Sequence, residues 1–194
     1  MLTATLATSR DAFAQSENDC TSLLSYTDLK NAMGIAAAGA GSGITCANRG
    51  FGNPMWGPVV NRDGVVCVVV FTGTTRDDQW PGSRVISAQK ATTANAFSLN
   101  SLALSTANPY RLVQPGHSLF GLPESNPVDT DVAYKGPSAP TDNPTTPWWG
   151  QRIGGVNVFG GGLARSKDGQ VIGGLGVSGD TSCRKLPRSI DSRR

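Results

Sequence analysis

The sequence predicts an α+β domain, with a mainly antiparallel sheet of about five strands covered by helices and a long Pro-rich loop between its elements. Three observations carry this. The stretches MWGPVVNRDGVVCVVVFTG (55–73) and GGVNVFGGGLARSKDGQVIGGLGVSG (154–179) each hold two β-branched runs joined by an Asp-Gly turn, the pattern of a hairpin. Between them lies a helix built from small residues. The order αββααββ has hairpins rather than βαβ crossovers at both ends, which places the helices on one side of an antiparallel sheet.

Taken along the chain, SYTDLKNAMGIAAAGA (25–40) puts Leu29, Ala32, Met33, Ala36, Ala37 and Ala40 on one helical face, with Thr27 as the N-cap. A glycine-rich connection, 39–54, follows. In the first hairpin the turn Asn61-Arg62-Asp63-Gly64 uses glycine for a positive φ. The run Val65 to Phe71 is apolar on both faces, as a central strand would be. From Pro81 to Phe97 the small residues Ser87, Ala88, Ala91, Ala94 and Ala96 make a slim helix, with Lys90 near its middle. Leu99 to Ala107 reads as a further short helical piece, ended by Asn108-Pro109 and Gln114-Pro115-Gly116. Six of the 12 prolines fall between Pro123 and Pro147, a composition that resists both helix and sheet. The last hairpin carries ten of the 24 glycines. Each glycine in a strand interior costs roughly 0.5–1 kcal/mol relative to alanine, so something must lie close against this backbone.

The 194 residues suit one domain, 20–183, preceded by a leader remnant or disordered terminus (1–15) and followed by a basic tail (184–194). No apolar run approaches the roughly 20 residues needed to cross a bilayer. The net charge of +3 comes from the tail RKLPRSIDSRR, which holds five basic residues and one acidic, so the remaining body is near −1. A basic tail on a neutral body argues against a nucleic-acid partner. The first fifteen residues are small, hydroxyl-rich and acid-poor, with Ala12-Phe13-Ala14 in the pattern that signal peptidase cuts. They point to export, periplasmic or secreted. Four cysteines without C-x-x-C spacing, Cys20, Cys46, Cys67 and Cys183, fit disulfides in an oxidising compartment. All three pairings are open, and the expected strand ends favour Cys67 with Cys183 and Cys20 with Cys46.

Several catalytic classes are argued against. Gly174 to Gly179 matches G-x-G-x-x-G, but only fifteen residues remain after it, too few for a dinucleotide fold. His117 is the single histidine, which excludes a multi-histidine metal site and leaves a Ser-His-Asp reading resting on one loop residue with no G-x-S-x-G elbow. A lone imidazole still suffices as a haem ligand. Asp77 and Asp78, beside Arg76 and Arg84, read as a helix-entry loop with local ion pairs rather than an acid–base pair.

Five separated stretches then agree in order with one family. Val59-Val60-Asn61-Arg62-Asp63-Gly64, Gly82-Ser83 through Lys90-Ala91 to Phe97, Gln114-Pro115-Gly116 with Leu119 to Gly121, Phe159 to Gly162, and IGGLGVSGD ending at Asp180 resemble the GlcG/HbpS-like haem-binding family, which includes the C-terminal domain of PduO-type proteins. The resemblance covers roughly residues 26–183. It implies an α+β fold assembling into a homo-oligomer, haem as cofactor, and a glycine-rich hairpin lying beside the lysine-bearing helix. His117 stands where the family pattern has a small residue, and the tail replaces an expected acidic terminal helix.

The expectation is therefore an exported haem- or small-ligand-binding protein, non-catalytic, linked to redox or haem sensing. The alternative is an enzyme acting on a small carboxylate or peroxide through Lys90. The candidate site comprises Lys90, Tyr110, His117, Phe120, Phe159, Gly160, Gly161 and Gly162. Tyr110 or His117 would ligate iron, with His117 as the metal residue. A pocket is expected between Lys90, Phe159, the glycine backbone and the Tyr110–Phe120 loop, partly closed by a neighbouring subunit.

Overall fold

A computed structural model describes residues 20–38, 52–136 and 146–180. The leader, the basic tail, Cys46, Cys183 and the middle of the Pro-rich loop lie outside the described residues. The elements in order are α1 (Tyr26–Ala38), β1 (Trp56–Asn61), β2 (Val66–Phe71), α2 (Pro81–Ala96), α3 (Thr130–Ala133), β3 (Gly162–Lys167) and β4 (Gln170–Gly176), with short 3₁₀ segments at Arg76–Asp78 and Asn108–Val113. Among the described residues the sheet has four antiparallel strands in the order β2-β1-β4-β3, so the predicted α+β class holds with one strand fewer. None of the described helices is long and apolar enough to cross a membrane.

Both hairpins close as the Asp-Gly pairs require. In the first, Gly64 takes φ +77° while the Asn61 side-chain oxygen accepts from the backbone N–H groups of Asp63 and Val65 at 3.0 and 2.9 Å. In the second, Asp168 and Gly169 both have positive φ, the requirement of a type I′ turn. Helix α1 is capped by Ser25, not Thr27: its Oγ accepts from Asp28 N at 3.1 Å, and its carbonyl takes the first helical bond from Leu29 N. The residue that keeps its carbonyl in the helix while its own backbone stays outside is Ser25, so the helix begins two residues earlier than a Thr27 cap allows.

The sheet is covered on both faces rather than one. Trp56 and Val60 of β1 point to the α2 side, packing with Val85, Ala88 and Ala91 and with Trp148 and Ile153. Val59, with Val70 and Leu175, joins Leu29 and Met33 of α1 in a second core on the opposite face. Both β1 and β2 are consequently buried along their whole length. This explains why β2 reads as central when it is last in the sheet order. Its outer edge is not bare either: Val66 N donates to Gln151 O and Gly150 N to Val66 O, both at 2.9 Å, so an irregular segment substitutes for a neighbouring strand.

Two further expectations are corrected. Leu99 to Ala107 does not continue as helix. The Arg62 guanidinium donates to the carbonyls of Asn95 and Ser98, and the Ser98 hydroxyl accepts from Leu104 N at 2.9 Å, so the groups a further helical turn would need are already engaged. The Pro-rich loop contains one helical turn, α3, because Asp129 accepts from Asp131 N and Val132 N as an N-cap. The buried Trp148 indole N–H donates to Val132 O at 3.0 Å and holds that turn to the core.

The glycine-rich hairpin lies under α2. Along β4, Leu175 faces the α1 side while Gly174 and Gly176 face α2. A Cβ at Gly174 would collide with the Ala91 carbonyl oxygen, and one at Gly176 with those of Ser87 and the Ala91 amide. The helix backbone occupies the space that β4 side chains would otherwise fill.

The disulfide joins Cys20 to Cys67, with Cα atoms 5.4 Å apart. Cys67 shares the α1-side core with Leu29 and Met33, and the chain enters α1 through Cys20 on that same face. Both favoured pairings, Cys67 with Cys183 and Cys20 with Cys46, are thereby overturned, since each uses one cysteine of this bridge.

Two outcomes follow from this packing. Gly176→Ala is expected to destabilise the domain by about 1–3 kcal/mol or more, because backbone atoms cannot yield as a flexible side chain does; chemical denaturation of the variant checks this. Cys67→Ala, or reduction of the native chain, is expected to cost about 2–4 kcal/mol given the 47-residue separation of the bridged cysteines. Denaturation with and without reductant reads that loss, and Cys67→Ala should be insensitive to reductant.

Candidate ligand site

Helix α2 carries two cations into the interior, Arg84 and Lys90, exposed by only 5% and 2%. Their surroundings differ. Arg84 lies 3.7 Å from the centroid of the Trp148 ring and 5.8 Å from that of Trp56, and its Nη1 donates to Lys135 O at 3.3 Å. Burial lowers its pKa to about 10, which still leaves it charged at neutral pH. It has therefore turned inward, away from the Asp77–Asp78 loop.

That loop is local structure. The Asp78 carboxylate accepts from the backbone of Thr75 and Thr74 and from both threonine hydroxyls, which together hold its pKa down at about 2. Asp77 meets Arg76 at 3.6 Å on the exposed surface.

Lys90 sits where the glycine-rich hairpin meets α2. Its Nζ donates to Val177 O at 3.2 Å and lies 4.3 Å from the centroid of the Phe159 ring, which covers it. A side chain at Gly161 would press on Nζ, and one at Gly162 on the Lys90 carbonyl. No carboxylate pairs with this ammonium among the described residues. Burial lowers its pKa to about 8, so it changes charge near physiological pH. Phe159 itself is 41% exposed.

Thr106 is a positioning residue that the sequence reading missed. Its hydroxyl donates to Phe159 O at 2.7 Å and accepts from Gly162 N at 2.8 Å, while its own N–H donates to Gly162 O at 3.1 Å. A threonine in a polar, irregular stretch gives no sequence signal for this, because its partners are 53 and 56 residues away.

The candidate residues fall into two groups. Lys90, Phe159, Gly161 and Gly162 come together, with Gly160 buried beside them. Tyr110, His117 and Phe120 stand apart on the segment that follows α2, all exposed, Tyr110 by 54% and Phe120 by 65%. That segment is folded on itself by Phe120 N donating to His117 O and Leu119 N to Leu112 O. A cavity of about 180 Å³ opens between it and the C-terminal turns of α2, walled by Thr93, Phe97, Leu104, Leu112, Leu119 and Leu122. Lys90, Phe159, the glycines, Tyr110, His117 and Phe120 do not line it. The pocket is thus displaced by about one turn of α2 from the expected place, because Phe159 fills the space above Lys90.

The residues thus form a buried amine under the Phe159 ring and, apart from it, an exposed apolar segment bearing a phenol and an imidazole. The family model described as "Haem degrading protein HbpS-like" matches residues 35–184, and the chain belongs to that family. The crystal structure of a PduOC–haem complex is similar to this chain at 25% identity and a TM-score of 0.51, over 82% of this chain and 84% of that one. Protein ORFY of Klebsiella pneumoniae, a DUF336 protein, is 26% identical with a TM-score of 0.44, over 79% of each chain. No curated protein matches the chain.

The pKa of Lys90 makes stability depend on pH. Between about 8 and the ordinary lysine value of 10.5 the unfolded chain holds a proton that the folded one has released. Stability from this group therefore rises with pH through that window, by up to about 1.4 kcal/mol per unit. Relative to Lys90→Met, which cannot titrate, the native chain is expected to gain stability from pH 8 to 10.5 and to show no relative change from pH 6 to 7. Paired urea titrations of the two proteins check it.

Proposed function

We propose that this protein binds haem in an oxidising, extracytoplasmic compartment, as a non-catalytic component of redox or haem sensing. Membership of the HbpS-like family carries the reading, supported by the likeness to a PduO domain whose crystal structure contains haem. The Cys20–Cys67 disulfide supports export, since such bridges persist outside the reducing cytosol, and the leader-like first fifteen residues agree with it.

The residues present fit the group. Haem needs apolar contact, an axial donor and a cation for its propionates. Leu112, Leu119 and Phe120 supply exposed apolar surface, Tyr110 and His117 are exposed donors on the same segment, and Lys90, apart from them, is a cation with no carboxylate partner among the described residues. Bound haem would contribute the electron-transfer and gas-binding chemistry of its iron. The protein's part is to present the shelf, to offer Tyr110 or His117 to the metal, and to hold a carboxylate at Lys90 Nζ once Phe159 swings aside. Enclosure of the macrocycle is not required of the 180 Å³ cavity, which is below the roughly 300–1,000 Å³ that drug-sized ligands occupy. An exposed site of this kind is completed by a second copy, so the haem-loaded protein is a homo-oligomer.

A second reading has its own observation. An amine with a pKa near 8, shielded by one ring, has the properties of a proton-transfer or anion-holding group. In that reading the protein acts on a small carboxylate or peroxide through Lys90.

Titration of the purified protein with hemin is expected to give a saturable Soret shift of fixed stoichiometry and a mass above that of one chain on gel filtration. His117→Ala or Tyr110→Phe is expected to change the haem spectrum and weaken binding at least tenfold. A spectrum unaltered in the double variant overturns the ligand assignment. Loss of turnover in Lys90→Met with hemin affinity intact favours the second reading.

A further inference from the structure

The cavity at the C-terminal end of α2 has a wall chemistry and a size that define a ligand class, and the haem reading draws only on Leu112 and Leu119 at its solvent edge. No charged side chain lines it. Its one hydroxyl, that of Thr93, is engaged in both directions, donating to Gln89 O at 2.7 Å and accepting from Asn157 N at 2.9 Å. The Asn108 side-chain oxygen on the wall is taken by Ser105 N at 2.7 Å. Apart from the Asn108 amide nitrogen, what remains is leucine, phenylalanine, proline and valine surface. Phe97, Leu112 and Leu119, exposed by 39%, 43% and 37%, complete that surface from the solvent side.

The volume adds a size. At about 180 Å³ the cavity is slightly larger than an apolar cavity of about 150 Å³ that stays dry and accepts benzene. A recess of about 10 Å³ shares the Thr93, Phe97, Leu104 and Pro109 walls and reaches Ala94 and Thr106. That is the space of about one water-sized probe, enough for a single methyl-sized group. A hydroxyl placed there would face an exposed lining that is entirely apolar, with the Thr106 Oγ turned to Phe159 O as donor and to Gly162 N as acceptor. A buried polar group left unpaired is penalised, whereas a methyl group is not.

We infer that this cavity binds a small uncharged apolar molecule, one aromatic ring bearing a single methyl-sized substituent. Lys90, Tyr110 and His117 do not line the site, so it stands whether or not those residues serve haem. A ligand that fills it in the folded state raises the melting temperature by mass action.

The test uses the full chain with toluene as probe and phenol and benzoate as matched polar and charged controls. Toluene is expected to raise the melting temperature in a saturable way and to shift the methyl resonances of Leu104, Leu112, Leu119, Leu122 and Val158. Phenol should bind at least tenfold more weakly and benzoate not detectably. Leu122→Phe, which fills the cavity, is expected to lose toluene binding at least tenfold while hemin titration is unchanged. Should that variant fail to fold, Leu104→Trp, changed at a half-buried wall position outside the haem shelf, serves instead. Absence of toluene-dependent methyl shifts, equal binding of benzoate, or full binding in a folded, filled variant overturns the proposal. So does perturbation of the same methyls by protein concentration alone, which would make the occupant a second copy of the chain.

Discussion

The structure depends on how closely α2 lies against β4. Gly174 and Gly176 alternate with Leu175, so one face of β4 is bare backbone and the other carries a core leucine. Small residues on the helix meet this bare face: Ser87 and Ala91 bring their own backbone into the room that two side chains would occupy. With no side chains between them, the two elements form a contact of high density, in which dispersion is gained over many short atom–atom distances. The glycines lose strand propensity in exchange for that contact.

The same closeness makes the two buried cations of α2 unusual. A helix pressed onto backbone has little room for counter-ions. Arg84 escapes sideways into the Trp148 ring and a carbonyl, where the delocalised guanidinium tolerates desolvation. Lys90 has a compact ammonium and, among the described residues, Val177 O and the Phe159 face to replace its water. Its charge is the less well compensated of the two, and its pKa falls into the physiological range accordingly. A cation held this way is an electrostatic demand for an anion, and Phe159, on the edge of a three-glycine run, is what stands between it and solvent.

Beyond α2 the chain turns from packing to presentation. Arg62 ends the helix from the opposite hairpin, and the following residues fold into a 3₁₀ turn and tight loops whose leucines, tyrosine and phenylalanine stay exposed. That surface separates into an outer shelf bearing Tyr110 and His117 and an inner apolar cavity.

Local signals determined the elements that have local causes. The Asp-Gly turns, the extent of α2 and the density of glycine in the last hairpin were readable because positive φ, small-residue periodicity and strand-weakening glycines leave their mark within a few residues. The partner of those glycines was readable in kind, since only something close explains them. Tertiary structure alone decided which cysteine meets Cys67, that β2 is an edge covered by 150–152, and that α1 takes the face opposite α2, because each depends on contacts between segments tens of residues apart. It likewise decided that Lys90 lies closed under Phe159 while Tyr110 and His117 stand apart, and that the cavity opens one turn further along the helix. Residue types announce the chemistry they can perform, but whether two of them share a site is fixed by packing that no short stretch of chain contains.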